Sequence, residues 1–83
     1  MKVTLKLYAQ LGSFLPESKS GNEAEITLEA EKSVRGLLDD FGVPPEHCHL
    51  VLVNGEYVEP SAREERLLEE NDHLAVWPPV AGG

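Results

Sequence analysis

Leu50-Val51-Leu52-Val53-Asn54-Gly55-Glu56-Tyr57-Val58 sets the architecture of this chain. Four consecutive apolar residues followed by Asn-Gly read as a strand entering a tight hairpin, because Asn and Gly accept the left-handed backbone of a two-residue turn. Glu56 to Val58 is the return leg. Val51 and Val53 lie on one side of the strand and Leu50 and Leu52 on the other, so both of its faces are apolar. The same holds for His73-Leu74-Ala75-Val76-Trp77, the last strand before Pro78-Pro79, with Leu74 and Val76 opposed to Ala75 and Trp77.

Working outward, Lys2-Val3-Thr4-Leu5-Lys6-Leu7-Tyr8 alternates with period two and predicts a first strand with Val3, Leu5 and Leu7 inward. Residues 9–23 carry Gly12, Pro16, Ser18, Ser20, Gly21 and Asn22 and read as a connection, with Leu11, Phe14 and Leu15 pinning its first part on the core. Ala24-Glu25-Ile26-Thr27-Leu28 alternates again, and the spacing favours an antiparallel pair with the first strand. Ser33 is an N-cap for a helix over 34–41, where Val34, Leu37, Leu38 and Phe41 share one face and Gly42 stands at the C-terminal stop. Leu67 and Leu68 are expected to close the bottom of the core. The class is α+β, with one helix available to cover one face of one sheet. The other face is therefore expected to expose an apolar patch of Leu50, Leu52, Ala75 and Trp77 that binds a partner. Two alternatives are open: the 9–23 connection covers that face, or Trp77 is itself a structural core residue.

Eighty-three residues support one small core. The expected division is a domain over 1–77 and an extended, flexible tail over 78–83 ending in Gly-Gly. With 41% apolar and 27% charged residues the composition is that of a globular protein. Fifteen acidic against seven basic residues give a net charge of -8, which argues against a nucleic-acid partner. The single cysteine, Cys48, excludes an internal disulfide framework and fits a reducing compartment. No run of about 18 apolar residues is present, so no membrane association is expected and the cytoplasm is the default location.

Asp72-His73-Leu74-Ala75-Val76-Trp77-Pro78-Pro79-Val80-Ala81-Gly82-Gly83 resembles the end of the MoaD/ThiS family of ubiquitin-like sulfur carriers. The Pro-Pro-Val-Ala-Gly-Gly ending is most similar to the MoaD branch, the small subunits of molybdopterin synthases. Val3 to Leu11, Ser33 to Gly42 and Leu50 to Glu56 are similar to the family's first strand, helix and Asn-Gly hairpin. Where the family has Gly-Asp before the last strand, this chain has Asn71-Asp72, and Asn tolerates the left-handed region that the turn needs. Leu7 to Glu17 and Leu50 to Gly55 are also similar to ubiquitin-like domains fused to other proteins.

The resemblance implies a β-grasp fold, a mixed sheet of four to five strands with one main helix on one face. It also implies a carrier rather than an enzyme, active in molybdenum or tungsten pterin cofactor synthesis. Gly83 would be the attachment point, served by Pro78, Pro79, Val80, Ala81 and Gly82. Its partners would be an adenylyltransferase of the MoeB/ThiF type, which uses ATP, and an acceptor synthase subunit of the MoaE type, with no permanently bound cofactor. The chemistry suits such a tail. A terminal carboxylate, ionised above about pH 3.7, can attack the α-phosphorus of ATP, and the acyl-adenylate then loses AMP to a sulfur nucleophile, leaving a thiocarboxylate. Glycines without Cβ let the chain enter a narrow channel, and prolines hold it away from the sheet. The competing readings are a modifier joined to lysines through Gly83, a ThiS-like carrier for thiamine synthesis, and a non-conjugating interaction domain.

Other groupings are weaker. His47, Cys48, His49 and His73 are zinc-ligand types, but consecutive residues of an extended segment point apart, so no metal site is expected. Cys48 lacks the surroundings of a nucleophile and reads as a small, partly buried thiol. Glu64, Glu65, Glu69, Glu70 and Asp72, with Arg63 and Arg66 interleaved, read as a solvated face.

Overall fold

The computed structural model describes residues 1–79. Five strands form one mixed sheet: β1 (Lys2–Leu7), β2 (Glu23–Thr27), β3 (Leu50–Val53), β4 (Glu56–Tyr57) and β5 (His73–Trp77). Their order is β2-β1-β5-β3-β4, antiparallel throughout except for the central parallel pair β1 and β5. The helix α1 (Val34–Asp40) connects β2 to β3. This is the β-grasp arrangement that the resemblance implied.

Register places the alternating residues in rows. Ala24, Leu5, Leu74 and Val53 form one row across the inner face, and Leu7, Val76 and Val51 the next. All seven are buried, and Val34, Leu37 and Leu38 of α1 join them in the core. Leu11 and Leu15 are buried too, with Phe14 packed against the core, so the first part of the long connection is pinned as expected. Burying a side chain of this size stabilises the fold by about 1.5–3 kcal/mol.

Local chemistry sets the element ends. The Ser33 Oγ accepts from the Gly36 amide at 3.0 Å and caps α1. At the other end Val43 N donates to Leu38 O and Gly42 N to Asp39 O, both at 3.0 Å, with Gly42 at φ +75°. That pair of bonds is a Schellman stop, which requires a left-handed residue. Asn54 and Gly55 have φ of +51° and +85°, the conformation a two-residue hairpin turn demands. Asn71, at φ +68°, takes the left-handed conformation expected at the turn before β5.

The segment from Val58 to Asp72 departs from the sequence reading. Leu68 is buried, but Leu67 is 43% exposed, because the Ser33–Leu67 bridge turns successive side chains to opposite sides. Arg63 and Asp72, expected on a solvated face, are 5% and 7% exposed. Asp72 is buried because its carboxylate is a joint: Oδ1 accepts from Asn54 Nδ2 at 2.8 Å and Oδ2 from the Glu69 amide at 2.7 Å. Asn54 Oδ1 in turn accepts from the His73 amide at 2.8 Å. The hairpin tip is thus fastened to the start of β5. Glu64, Glu65, Glu69 and Glu70 are exposed, as expected of a solvated face.

Candidate functional site

β5 carries the candidate site, since it leads directly into the tail. Its last ladder position is held on both sides: Tyr8 N donates to Val76 O at 3.1 Å, and His49 N to Trp77 O at 2.9 Å. Pro78 has no N–H with which to continue the ladder. Pro78, assigned to the tail by the sequence reading, is buried in the body, and Pro79 is the first exposed residue of that segment. The remaining tail positions, Val80, Ala81, Gly82 and Gly83, the expected attachment point, lie outside the described residues.

The outer face beside this exit is apolar. Leu50 pairs with Trp77, and Leu52 lies between Ala75 and Tyr57, so these side chains share one surface. Leu50 is 36% exposed and Tyr57 57% exposed, while Leu52 and Trp77 are half-buried. Ala75, expected in the exposed patch, is instead buried at 9% because its short side chain sits in a row between the longer Lys6 and Leu52. Trp77 is neither a free anchor nor a core residue. Its ring stacks on Tyr8, with centroids 4.4 Å apart and planes within 4°, an arrangement worth about 0.5–1.5 kcal/mol beyond area burial. The stack fixes the indole and leaves part of it open.

Tyr8 and Tyr57 were not read from the sequence as part of this face. The period-two continuation of β1 put Tyr8 on the outer side, and the Asn-Gly register put Tyr57 opposite Leu52, so both signals were present. Cys48 is buried with its Sγ 3.5 Å from Pro44 O. Burial pushes its thiol above the ordinary value of 9.0, against the opposing pull of the nearby Arg35 and Arg63 guanidiniums. It is therefore protonated and weakly nucleophilic at neutral pH. Among the described residues no three His, Cys, Asp or Glu side chains come together as metal ligands. No helix among them is long and apolar enough to cross a membrane.

Residues 6–83 match the sequence model of the ThiS family, a span that runs from the end of β1 through the diglycine. The chain belongs to the ThiS family. A similar protein, the molybdopterin synthase sulfur carrier subunit of Drosophila yakuba, is 35% identical over 68 residues, covering 82% of this chain and 73% of that one. The crystal structure of SAMP1 from Haloferax volcanii aligns over the full length of both chains with a TM-score of 0.68 at 23% identity. At that identity the likeness bears on the fold alone, and it agrees with the β-grasp topology. The resemblance of the tail and hairpin to MoaD/ThiS carriers is thus shown at the level of the family.

Proposed function

We propose that this protein carries sulfur as a thiocarboxylate on Gly83 and delivers it to an acceptor synthase in molybdopterin synthesis. The observation that carries the reading is the family match through residue 83, joined to the similarity with a molybdopterin synthase sulfur carrier subunit. In this reading the chain is the substrate of an adenylating enzyme and has no catalytic site of its own. The enzyme, of MoeB/ThiF type, brings ATP to the carboxylate. The carboxylate oxygen attacks the α-phosphorus, pyrophosphate leaves, and a sulfur donor displaces AMP from the acyl carbon. An acceptor of MoaE type then receives the sulfur.

The apolar face supports the same reading. Leu50, Leu52, Tyr57 and Trp77 lie beside the base of the tail, so a partner gripping them also aims the chain beyond Pro79. Binding energy gathered at that face would position Gly83 for reaction. The test is intact-mass spectrometry after incubation with an activating enzyme, ATP and a sulfur donor. The expected gain is about 16 Da, sulfur for oxygen at one carboxylate. An unchanged mass beside a converted control carrier would refute the proposal, and cellular lysines bearing the Gly83 end would favour the modifier reading instead.

A further inference from the structure

The two edges of the sheet are unequal. β4 closes one side with the two residues Glu56 and Tyr57, whereas β2 presents five on the other. Toward β1, Leu28 N donates to Met1 O at 2.7 Å, Met1 N to Leu28 O at 3.1 Å and Leu7 N to Asn22 O at 2.9 Å. By the alternation of an antiparallel ladder the bonded pairs are then Met1–Leu28, Val3–Ile26, Leu5–Ala24 and Leu7–Asn22. Glu23, Glu25 and Thr27 therefore turn their backbone groups away from β1. Those of Glu23 are used by Ser20, at 2.8 and 3.2 Å. The N–H and C=O of Glu25 and Thr27 have no backbone partner among the described residues, and both residues are exposed.

Beside that open edge runs a groove of about 370 Å³ between β2 and α1. Ile26, Leu28, Leu37 and Phe41 line it, and Ile26 and Phe41 are only half-buried, so apolar surface is left uncovered there. Ile26 and Leu28 point to the helix side of the sheet, while Glu23, Glu25 and Thr27 point to the other face. A strand added at this edge would meet an apolar row on one side and an acidic row on the other, at the two-residue period of its own side chains. Lys32, the one cation lining the groove, is occupied, with its Nζ 2.7 Å from Asp40 Oδ2. Glu23 and Glu29 make no ion pair among the described residues, and Glu25 has only its exposed contact with Lys2.

The carboxylates decide which strand fits. Two copies joined antiparallel through β2 about a dyad would bring Glu23 and Glu25 of both onto one face, and like charges across a ladder destabilise it. That guards the edge against self-pairing. A strand with basic residues at alternate positions turns the same charges into attraction, and its intervening apolar residues enter the groove beside Ile26 and Phe41. We propose that the open edge of β2 binds an extended segment of a partner protein in which basic and branched apolar residues alternate, added as a sixth strand with its apolar row in the β2–α1 groove. β1 separates this edge from β5, so the site can be filled while the face beside the tail is engaged.

The test needs no tail chemistry. The ¹⁵N-labelled chain is titrated with the peptide acetyl-Lys-Val-Lys-Val-Lys-Val-Lys-amide and, separately, with the same peptide carrying Glu in place of Lys. Saturable amide shifts are expected over residues 25–29 and 37–41 with the basic peptide, and binding of the acidic one should be at least about tenfold weaker. Hydrogen exchange gives the sharper reading: the Glu25 and Thr27 amides, open in the free chain, should slow at least about tenfold at saturation, whereas those of Ala24 and Ile26 are protected from the start. Glu25→Lys should weaken binding about fivefold by exchanging an attractive cross-strand pair for a repulsive one. Thr27→Pro removes an edge N–H that β1 does not use and should weaken it about tenfold. Equal binding of the acidic peptide, shifts centred on Trp77, edge amides that stay fast in the complex, or an unchanged affinity in Glu25→Lys would overturn the proposal, whether or not Thr27→Pro folds. Sedimentation of the free chain at the same concentration should show a monomer; a dimer with Glu25 and Thr27 already protected would make a second copy the occupant and overturn it as well.

Discussion

The two halves of the sheet's outer face are built on one continuous ladder and yet differ in kind. Over β2 and β1 the outward residues are Glu23, Glu25, Thr27, Lys2, Thr4 and Lys6, with a Lys2–Glu25 ion pair at 3.5 Å. Both partners of that pair are more than half exposed, at 58% and 67%, so it contributes about 1 kcal/mol or less. Over β5, β3 and β4 the outward residues include Trp77, Leu50, Leu52 and Tyr57, extended by Tyr8 beyond the end of β1. The inner face is uniformly apolar beneath both halves. The core is thus complete without the outer apolar residues, which add little to folding beyond the Tyr8–Trp77 stack, and their placement beside the exit of the chain fits the recognition role proposed for them.

The largest expected effects lie on the inner face and should be equal across the divide. Leu5→Ala, beneath the polar half, and Leu74→Ala, beneath the apolar half, should each cost about 3 kcal/mol in chemical denaturation. A difference above about 1 kcal/mol between them would mean that the halves differ inside as well, and the comparison would fail. Trp77→Ala comes next. The Tyr8 stack raises its expected cost to about 1–2 kcal/mol, above that of an unstacked surface tryptophan, and a double-mutant cycle with Tyr8→Ala should return a coupling of about 1 kcal/mol. The same substitution should weaken binding to the activating or acceptor enzyme about tenfold, measured by titration. Normal affinity would remove the anchor from the proposed function. The smallest stability effects sharpen the contrast: Lys6→Ala and Leu50→Ser should each stay within about 0.5 kcal/mol of the parent. Only Leu50→Ser should reduce partner affinity.

Much of this was legible in the sequence because the signals were local. Alternation in β1, the Ser33 cap, the Gly42 stop and the Asn54-Gly55 turn each need only neighbouring residues, and each forms as read. The doubly apolar strands also placed most of the outer apolar face proposed for recognition. What escaped depends on residues distant in sequence. Arg63 is buried because the carbonyl of Cys48 comes to it, and Asp72 because Asn54 reaches across from the hairpin. Neither meeting leaves a periodicity, so charge pattern alone assigned both to solvent. Ala75 was misjudged for a related reason: its burial comes from its neighbours across the ladder, not from its own position.

Trp77 is the sole tryptophan of the chain. Its contact with Tyr8 therefore gives the molecule an intrinsic optical reporter at the point where the body ends. Docking of any partner on this face would change the polarity and quenching around a single indole, so fluorescence of the unlabelled protein could follow association in real time.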